Sequence, residues 1–94
     1  MAVKVKFVGS FRSLSGKTRL AVKLENTASF GEVVRKIVEV LPGLQEALID
    51  PEFGSPKANM LVLVNGKEIS VLNGLETMIK DGDEMVFVPV VHGG

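Results

Sequence analysis

The strongest helical pattern in the chain covers residues 29–41, and it constrains the fold more than any other feature. Ser29 followed by Glu32 is typical of a capping box at a helix start, and Pro42 with Gly43 predicts the helix end. The apolar positions between them recur at helical spacing: Phe30, Val34, Ile37 and Leu41. Because one main helix cannot cover two sheets, the pattern predicts a single sheet with the helix on one face.

Strand patterns flank this helix on both sides. Residues 2–9 alternate apolar with charged side chains, and Arg19–Leu24 alternates again, so the two segments predict a hairpin. The serine-rich residues 10–18 between them predict a turn. After the helix, the patterns predict a loop at residues 50–59, an interior strand at 60–64, a hairpin turn at 65–66 and a return strand at 67–70. Residues 71–80 are ambiguous with helical spacing, residues 81–83 predict a tight turn, and residues 84–88 predict the last strand.

Composition excludes several classes of function. The length predicts one domain spanning residues 1–94. The formal net charge is zero, with eleven basic and eleven acidic residues, which argues against direct nucleic-acid binding by bulk electrostatics. No apolar run is long enough to cross a bilayer, and the first residues do not resemble a signal peptide. We therefore expect no membrane partner and a cytoplasmic location.

Few residues could carry chemistry within the chain. Cysteine is absent and the only histidine is His92, which argues against a thiolate nucleophile, a zinc–cysteine site and a Ser-His-Asp triad. No glycine-rich phosphate loop is present. The acidic run 81–84 has too few ligands for calcium and predicts a tight turn instead. The sequence predicts no metal, no bound cofactor and no self-contained active site, and it leaves open whether the chain is a subunit of an enzyme.

The last two residues, Gly93-Gly94, are the strongest candidates for function. Glycine lacks a side chain, so this pair forms a thin and pliable end that can enter a narrow channel in another protein. We interpret Gly94 as the reacting group of a carrier with a flexible tail at residues 89–94; the alternative is a frayed end. Pro89 ends the last strand, and His92 is either solvated or a partner contact. The predicted linker consists of Val90, Val91 and His92, and together with Pro89 these residues are predicted partner contacts.

Strand alternation predicts a docking surface as well. Two strands would direct Val62, Val64, Met85 and Phe87 toward the helix. Five apolar residues would then face outward and form one partner-binding patch: Val8, Leu61, Leu63, Val86 and Val88. If the register differs by one residue, the same side chains belong to the core, and a further alternative is that an oligomer covers this face.

The predicted order places the first and last strands side by side and parallel in the middle of one sheet. This α+β arrangement is the β-grasp, or ubiquitin-like, roll, a mixed sheet of four to five strands with one main helix packed on one face. Residues 65–89 with the Gly-Gly ending resemble the small, sulfur-carrying subunit of molybdopterin synthase. The same stretch, with residues 60–64 and the His-Gly-Gly ending, is similar to the ubiquitin-related modifier. The segment Val3–Phe7 with Phe11, Leu14 and Gly16 fits both.

The resemblance implies a function that the residues alone do not establish. It implies that a separate ATP-using activating enzyme adenylates Gly94, that the product becomes a thiocarboxylate, and that the sulfur is donated in molybdopterin biosynthesis. The implied partners are this enzyme and the molybdopterin synthase large subunit. The alternative is a modifier that works with a tRNA-thiolating enzyme or is joined to lysines of target proteins. A second alternative is a β-grasp interaction module that is never activated.

Overall fold

The computed structural model describes residues 1–57 and 60–90 of the chain. The strands are β1 Ala2–Phe7, β2 Arg19–Lys23, β3 Ala28–Ser29, β4 Met60–Val64, β5 Lys67–Glu68, β6 Met78–Ile79 and β7 Glu84–Pro89. The α-helices are α1 Ser10–Ser15, α2 Phe30–Val40 and α3 Gln45–Leu48, and three short 3-10 helices cover Pro42–Leu44, Ile69–Val71 and Gly74–Glu76. No helix in this part of the chain is long and apolar enough to cross a membrane.

Five strands form the main sheet in the order β2-β1-β7-β4-β5. The β1–β7 pair is parallel, whereas β1–β2, β4–β7 and β4–β5 are antiparallel. The predicted hairpin, the central parallel pair and the β-grasp fold class are therefore confirmed. A second, two-stranded sheet joins β3 to β6 at the start of α2, and the sequence did not predict it.

Helix α2 forms where its sequence pattern predicted. The Ser29 hydroxyl accepts a hydrogen bond from the Glu32 backbone N–H at 3.3 Å and donates one to the Glu32 carboxylate at 3.2 Å. Leu41 caps the other end, where its N–H donates to the Ile37 carbonyl. The residues that α2 buries lie on one side of it: Phe30, Val33, Val34, Ile37 and Val38.

The buried side of α2 packs on one face of the main sheet, which we call the buried face. Val5, Phe7 and Phe87 on this face are at most 1% exposed. The Phe87 ring lies 6.0 Å from the Phe7 ring and 6.1 Å from the Phe30 ring, measured between centroids. Aromatic pairs at this separation contribute packing energy beyond the area they bury. The core therefore joins α2 to the two central strands.

The Asn65-Gly66 hairpin turn is tied to the start of β7. Asn65 and Gly66 both have positive φ, 51° and 84°, as a two-residue hairpin turn requires. The Asn65 amide donates to the Asp83 carboxylate at 2.9 Å, and its oxygen accepts from the Glu84 N–H at 2.9 Å. These bonds help fix the register of β4 against β7, which decides which side chains share a face.

Two predictions for local structure were wrong. Residues 10–18 do not form a simple turn, because α1 occupies Ser10–Ser15 and buries Phe11. Gly16 ends that helix with φ 71° and donates to the Arg12 carbonyl at 3.0 Å. The return strand predicted at residues 67–70 stops at Glu68, where the chain enters a 3-10 helix. The ambiguous residues 71–80 contain 3-10 turns followed by β6.

Candidate docking face and tail exit

The face of the main sheet opposite α2, here called the open face, carries an apolar cluster. In the β4–β7 register Leu61 lies opposite Val88, and Leu63 lies opposite Val86. These four residues, which we call the apolar half-face, are each half-buried, and none belongs to the side chains that pack against the core. Directly opposed side chains on one face of a sheet touch one another. The structure therefore brings four of the predicted partner-binding residues together, with one side open to solvent.

Val8 extends this surface at the end of β1. Its N–H donates to the Phe87 carbonyl at 3.1 Å, and its side chain is 43% exposed. It continues the alternation of β1, in which Val5 and Phe7 are buried whereas Lys4 and Lys6 lie on the open face. All five residues of the predicted patch thus lie at or beside one face. That this face binds a partner remains a prediction.

The tail leaves the body from β7, the middle strand of the main sheet. Pro89 is the last residue of that strand, lies opposite Met60 and is half-buried. Val90 follows and is 44% exposed. The other predicted tail residues lie outside the described part of the chain: Val91, His92, Gly93 and Gly94. The geometry therefore defines where the tail departs and in which strand it begins.

Gly9 packs directly against the tail exit, which sequence reasoning missed. Its φ of 61° and ψ of −134° lie in a region that only glycine occupies readily. A Cβ atom added to Gly9 would lie 3.1 Å from Pro89 Cγ, closer than ordinary van der Waals contact. Gly9 stands at the end of the first strand pattern, and this position was the available signal in the sequence. Its contact with Pro89 depends on the parallel β1–β7 pair.

Within residues 1–57 and 60–90, no group of three or more His, Asp or Glu side chains is placed to hold a metal ion. What this region offers is a sheet with one open, partly apolar face and a tail that leaves from its middle strand.

Comparison with models of protein families identifies the family of this chain. A family model described as the ThiS family matches residues 5–94, which include all of the main sheet except the first three residues of β1, the tail exit and both terminal glycines. The chain belongs to the ThiS family. This confirms the resemblance to ubiquitin-like sulfur carriers that the sequence indicates.

Individual relatives of this ThiS-family chain agree with that membership. Small archaeal modifier protein 3 of Haloferax volcanii is 33% identical over 94 residues, covering all of both chains. Ubiquitin-related modifier 1 of Schizosaccharomyces pombe is 29% identical over 97 residues, again covering both completely. A chain in the crystal structure of the Amycolatopsis orientalis BexX/CysO complex is 26% identical with a TM-score of 0.79, covering 99% of this chain and 100% of that one.

Proposed function

We propose that the chain is a sulfur carrier whose reacting group is the Gly94 carboxylate. The observation that carries this proposal is the family match, which runs through the tail to Gly94. A carboxylate is a poor electrophile and needs activation. In the proposed step it attacks the α-phosphorus of ATP on an activating enzyme, and pyrophosphate leaves. Sulfide from the sulfur source then attacks the acyl carbon of the adenylate, the acyl–phosphate bond breaks, AMP leaves, and a thiocarboxylate remains on Gly94.

The folded part of the protein supports this role because it presents the tail to a partner. Its tail begins at the end of the middle strand, beside an open face with half-buried apolar side chains. The adenylating enzyme supplies the ATP site, and this chain holds no cofactor of its own. Because the step consumes ATP, the cytoplasm is the proposed location. The partner chemistry takes place around Gly93 and Gly94, and Val90, Val91 and His92 form the linker that reaches it.

The first proposed acceptor is a pterin precursor of molybdopterin, held by the molybdopterin synthase large subunit. The stretch from Asn65 to Pro89, which resembles the small subunit of that enzyme, supports this assignment. The Amycolatopsis structure also supports a partner protein, because it is a complex of CysO with BexX, and a mycobacterial relative with the name CysO is a sulfur carrier protein. On this assignment the chain is the sulfur-donating subunit of a sulfurtransferase.

A second candidate function is protein modification or tRNA thiolation. Two relatives that match over their full lengths are named modifiers, and the His92-Gly93-Gly94 ending is closer to that branch. In this case the activated Gly94 either forms an amide with a lysine amine of a target protein or passes sulfur to a tRNA-thiolating enzyme. Both candidates share the same activated carboxylate and differ in the acceptor: a lysine amine attacks the acyl carbon, whereas the pterin precursor or the tRNA receives the thiocarboxylate sulfur.

The deciding experiment is mass spectrometry of the purified chain after incubation with ATP, a sulfur source and the activating enzyme from the same genome. We expect the C-terminal peptide to gain one sulfur in place of one oxygen. Gly94→Ala should keep the fold and lose this gain, because a methyl group obstructs a narrow channel. Gly31→Ala is the matched control, since a Cβ there meets nothing closer than the Ser29 hydroxyl at 4.0 Å.

The same assay separates the alternatives. Transfer of the sulfur to a pterin precursor by the large subunit supports the first candidate, and heavier lysine-linked adducts or thiolated tRNA support the second. Full loading of Gly94→Ala refutes the channel argument. If the wild-type chain acquires neither sulfur nor adducts, yet a chain lacking Gly93 and Gly94 binds its partners normally, the non-activated interaction module is the correct description.

A further inference from the structure

The chain contains two Asn-Gly pairs, Asn65-Gly66 and Asn73-Gly74. In such a pair the backbone nitrogen of the glycine can attack the side-chain amide carbon of the asparagine, because glycine has no side chain to hinder the approach. The sequence alone makes both pairs equally open to this reaction. In the folded protein, however, the two side-chain amides have different surroundings.

The Asn65 amide is held at both of its polar atoms. Its nitrogen donates to the Asp83 carboxylate at 2.9 Å, and its oxygen accepts from the Glu84 N–H at 2.9 Å. The reaction requires the amide carbon to turn toward the Gly66 nitrogen, which breaks both hydrogen bonds. The folded hairpin therefore opposes the reaction at Asn65, although this residue is exposed.

Asn73 carries the same amide without these restraints. It is exposed and stands at the N-cap of the 3-10 helix Gly74–Glu76, where its side chain makes no capping hydrogen bond. Among the hydrogen bonds within residues 1–57 and 60–90, Asn73 takes part through its backbone, whose N–H donates to the Thr77 hydroxyl at 3.0 Å. Gly74 is the first residue of the helix, so its N–H has no partner within that helix.

The segment around Asn73 has little buried contact. A depression of about 240 Å³ is lined by Gly74 and Leu75, among others, and Val71 and Leu75 are 72% and 49% exposed. Short 3-10 helices have poor hydrogen-bond geometry, and segments with few buried contacts open at low free energy. The backbone at Asn73 can therefore rotate into the reactive geometry at a smaller cost than at Asn65.

We propose that Asn73 is a site of spontaneous deamidation and that the fold protects Asn65 from the same reaction. The Gly74 nitrogen loses its proton to solvent and attacks the side-chain amide carbon of Asn73. The bond from that carbon to the amide nitrogen breaks, and ammonia leaves with a proton from solvent. Water then opens the cyclic imide at either carbonyl. One product has aspartate at position 73, and the other has an isoaspartyl linkage, in which the main chain runs through the former side chain.

The modification changes the charge of the protein and, in one product, its main chain. Both products add one negative charge to a chain of zero net charge. The isoaspartyl product also lengthens the main chain by one methylene at Asn73, whose N–H is bonded to Thr77. Thr77 is buried, and its carbonyl accepts from the Phe30 N–H at 2.8 Å at the start of α2. The isoaspartyl product should therefore destabilise this end of α2, whereas aspartate remains a good N-cap residue.

The test follows both asparagines in one digest of the wild-type chain. The protein is incubated in warm, mildly alkaline buffer, cleaved with trypsin and analysed by mass spectrometry. Cleavage after Lys57, Lys67 and Lys80 places Asn65 and Asn73 in different peptides, and fragment ions locate the change from amide to acid. Asn73 should react at least about fivefold faster than Asn65, because the loss of even one hydrogen bond shifts an opening equilibrium by this order.

The denatured chain is the internal control. In guanidinium chloride both asparagines lose their folded surroundings, so the two rates should become similar. A difference that persists in guanidinium would mean that neighbouring residues and not the fold set the rates, and the proposal would be wrong. It would also be wrong if Asn65 reacts as fast as Asn73 in the folded protein, or if neither reacts there while both react in guanidinium.

Asp83→Ala tests the protection of Asn65 directly. It removes the acceptor of the Asn65 amide and should raise the rate at Asn65 by about fivefold while the rate at Asn73 stays unchanged. An unchanged rate at Asn65 would contradict the protective role of this hydrogen bond. If the variant unfolds, both rates rise together, and the guanidinium comparison decides.

Asn73→Asp tests the consequence of the modification, because it carries the charge of the product without the isoaspartyl linkage. We expect it to melt near the wild-type temperature. The modified fraction of aged wild-type protein, separated by ion exchange, should melt at a lower temperature than this variant. Equal melting temperatures would contradict the link from Asn73 through Thr77 to α2.

Discussion

The two faces of strands β4 and β7 carry similar apolar residues with different roles. On the buried face, Phe87 and Val62 are at most 2% exposed and pack beneath α2. One residue along each strand, Val86 and Leu61 point to the open face and are only half-buried. Hydrophobic side chains in a strand therefore do not all belong to the core. The first set stabilises the fold, and the second is free to contact another molecule.

The largest effect should come from the buried face. Phe87→Ala removes the ring that contacts both Phe7 and Phe30, and we expect it to lower the free energy of unfolding by about 3–5 kcal/mol. Chemical denaturation followed by circular dichroism measures this loss. A loss below about 1 kcal/mol is typical of exposed positions. It would mean that side chains on the buried face contribute no more to the free energy of unfolding than those on the open face.

Leu63→Asp tests the open face. It should lower stability by less than about 1 kcal/mol and weaken capture by the activating enzyme by about 2–4 kcal/mol, as expected for a residue near the centre of an interface. KM for Gly94 loading and the melting temperature are the two measurements. Leu75→Asp is the control, because Leu75 is 49% exposed but lies on the α2 side with Phe30. Unfolding of the Leu63→Asp protein would place Leu63 in the core.

Gly9→Ala tests the boundary between the faces, where the tail departs. Its backbone conformation should cost about 1–3 kcal/mol in a residue with a side chain, and the new methyl group also crowds Pro89. We expect reduced stability together with slower Gly94 loading. Adding Pro89→Ala removes the crowding but not the backbone strain, so the double variant should regain loading more than stability. Equal recovery of both would show that Pro89 does not position the tail.

The smallest effect concerns the helix that covers the buried face. Ser29→Ala removes the hydroxyl that caps α2 and should cost about 1 kcal/mol. Because α2 packs on the buried face, opposite the open face, KM for loading should stay at its wild-type value. Thermal denaturation and the loading assay measure the two quantities. A changed KM would link the helix cap to the docking face and weaken the separation of the two faces.

Local patterns predicted those parts of the fold that depend on periodicity. The helix at residues 30–40 and the Asn65-Gly66 hairpin follow from short-range rules. The helix at Ser10–Ser15 was missed because its serines are typical of a turn, while its burial depends on Phe11 reaching the core. The β3–β6 pair was missed because two-residue strands carry almost no periodic signal.

The candidate site was predictable only in part for the same reason. Alternation in Met60–Val64 and Glu84–Val88 was enough to assign the apolar half-face. The Gly9–Pro89 contact required knowing that β1 and β7 are neighbours and in which register they pair. Those relations join residues that are distant in the chain, and a single sequence contains no direct measure of them.

The position of β7 has a mechanical consequence. An enzyme that grips the tail pulls along the axis of a strand that is hydrogen-bonded to β1 on one side and to β4 on the other. Such a force loads both ladders in shear, so many bonds must break together before the strand slides. A tail attached to an edge strand could instead be peeled away one bond at a time. On the proposed function, this arrangement would let the activating enzyme draw the tail into a narrow channel while the sheet stays intact.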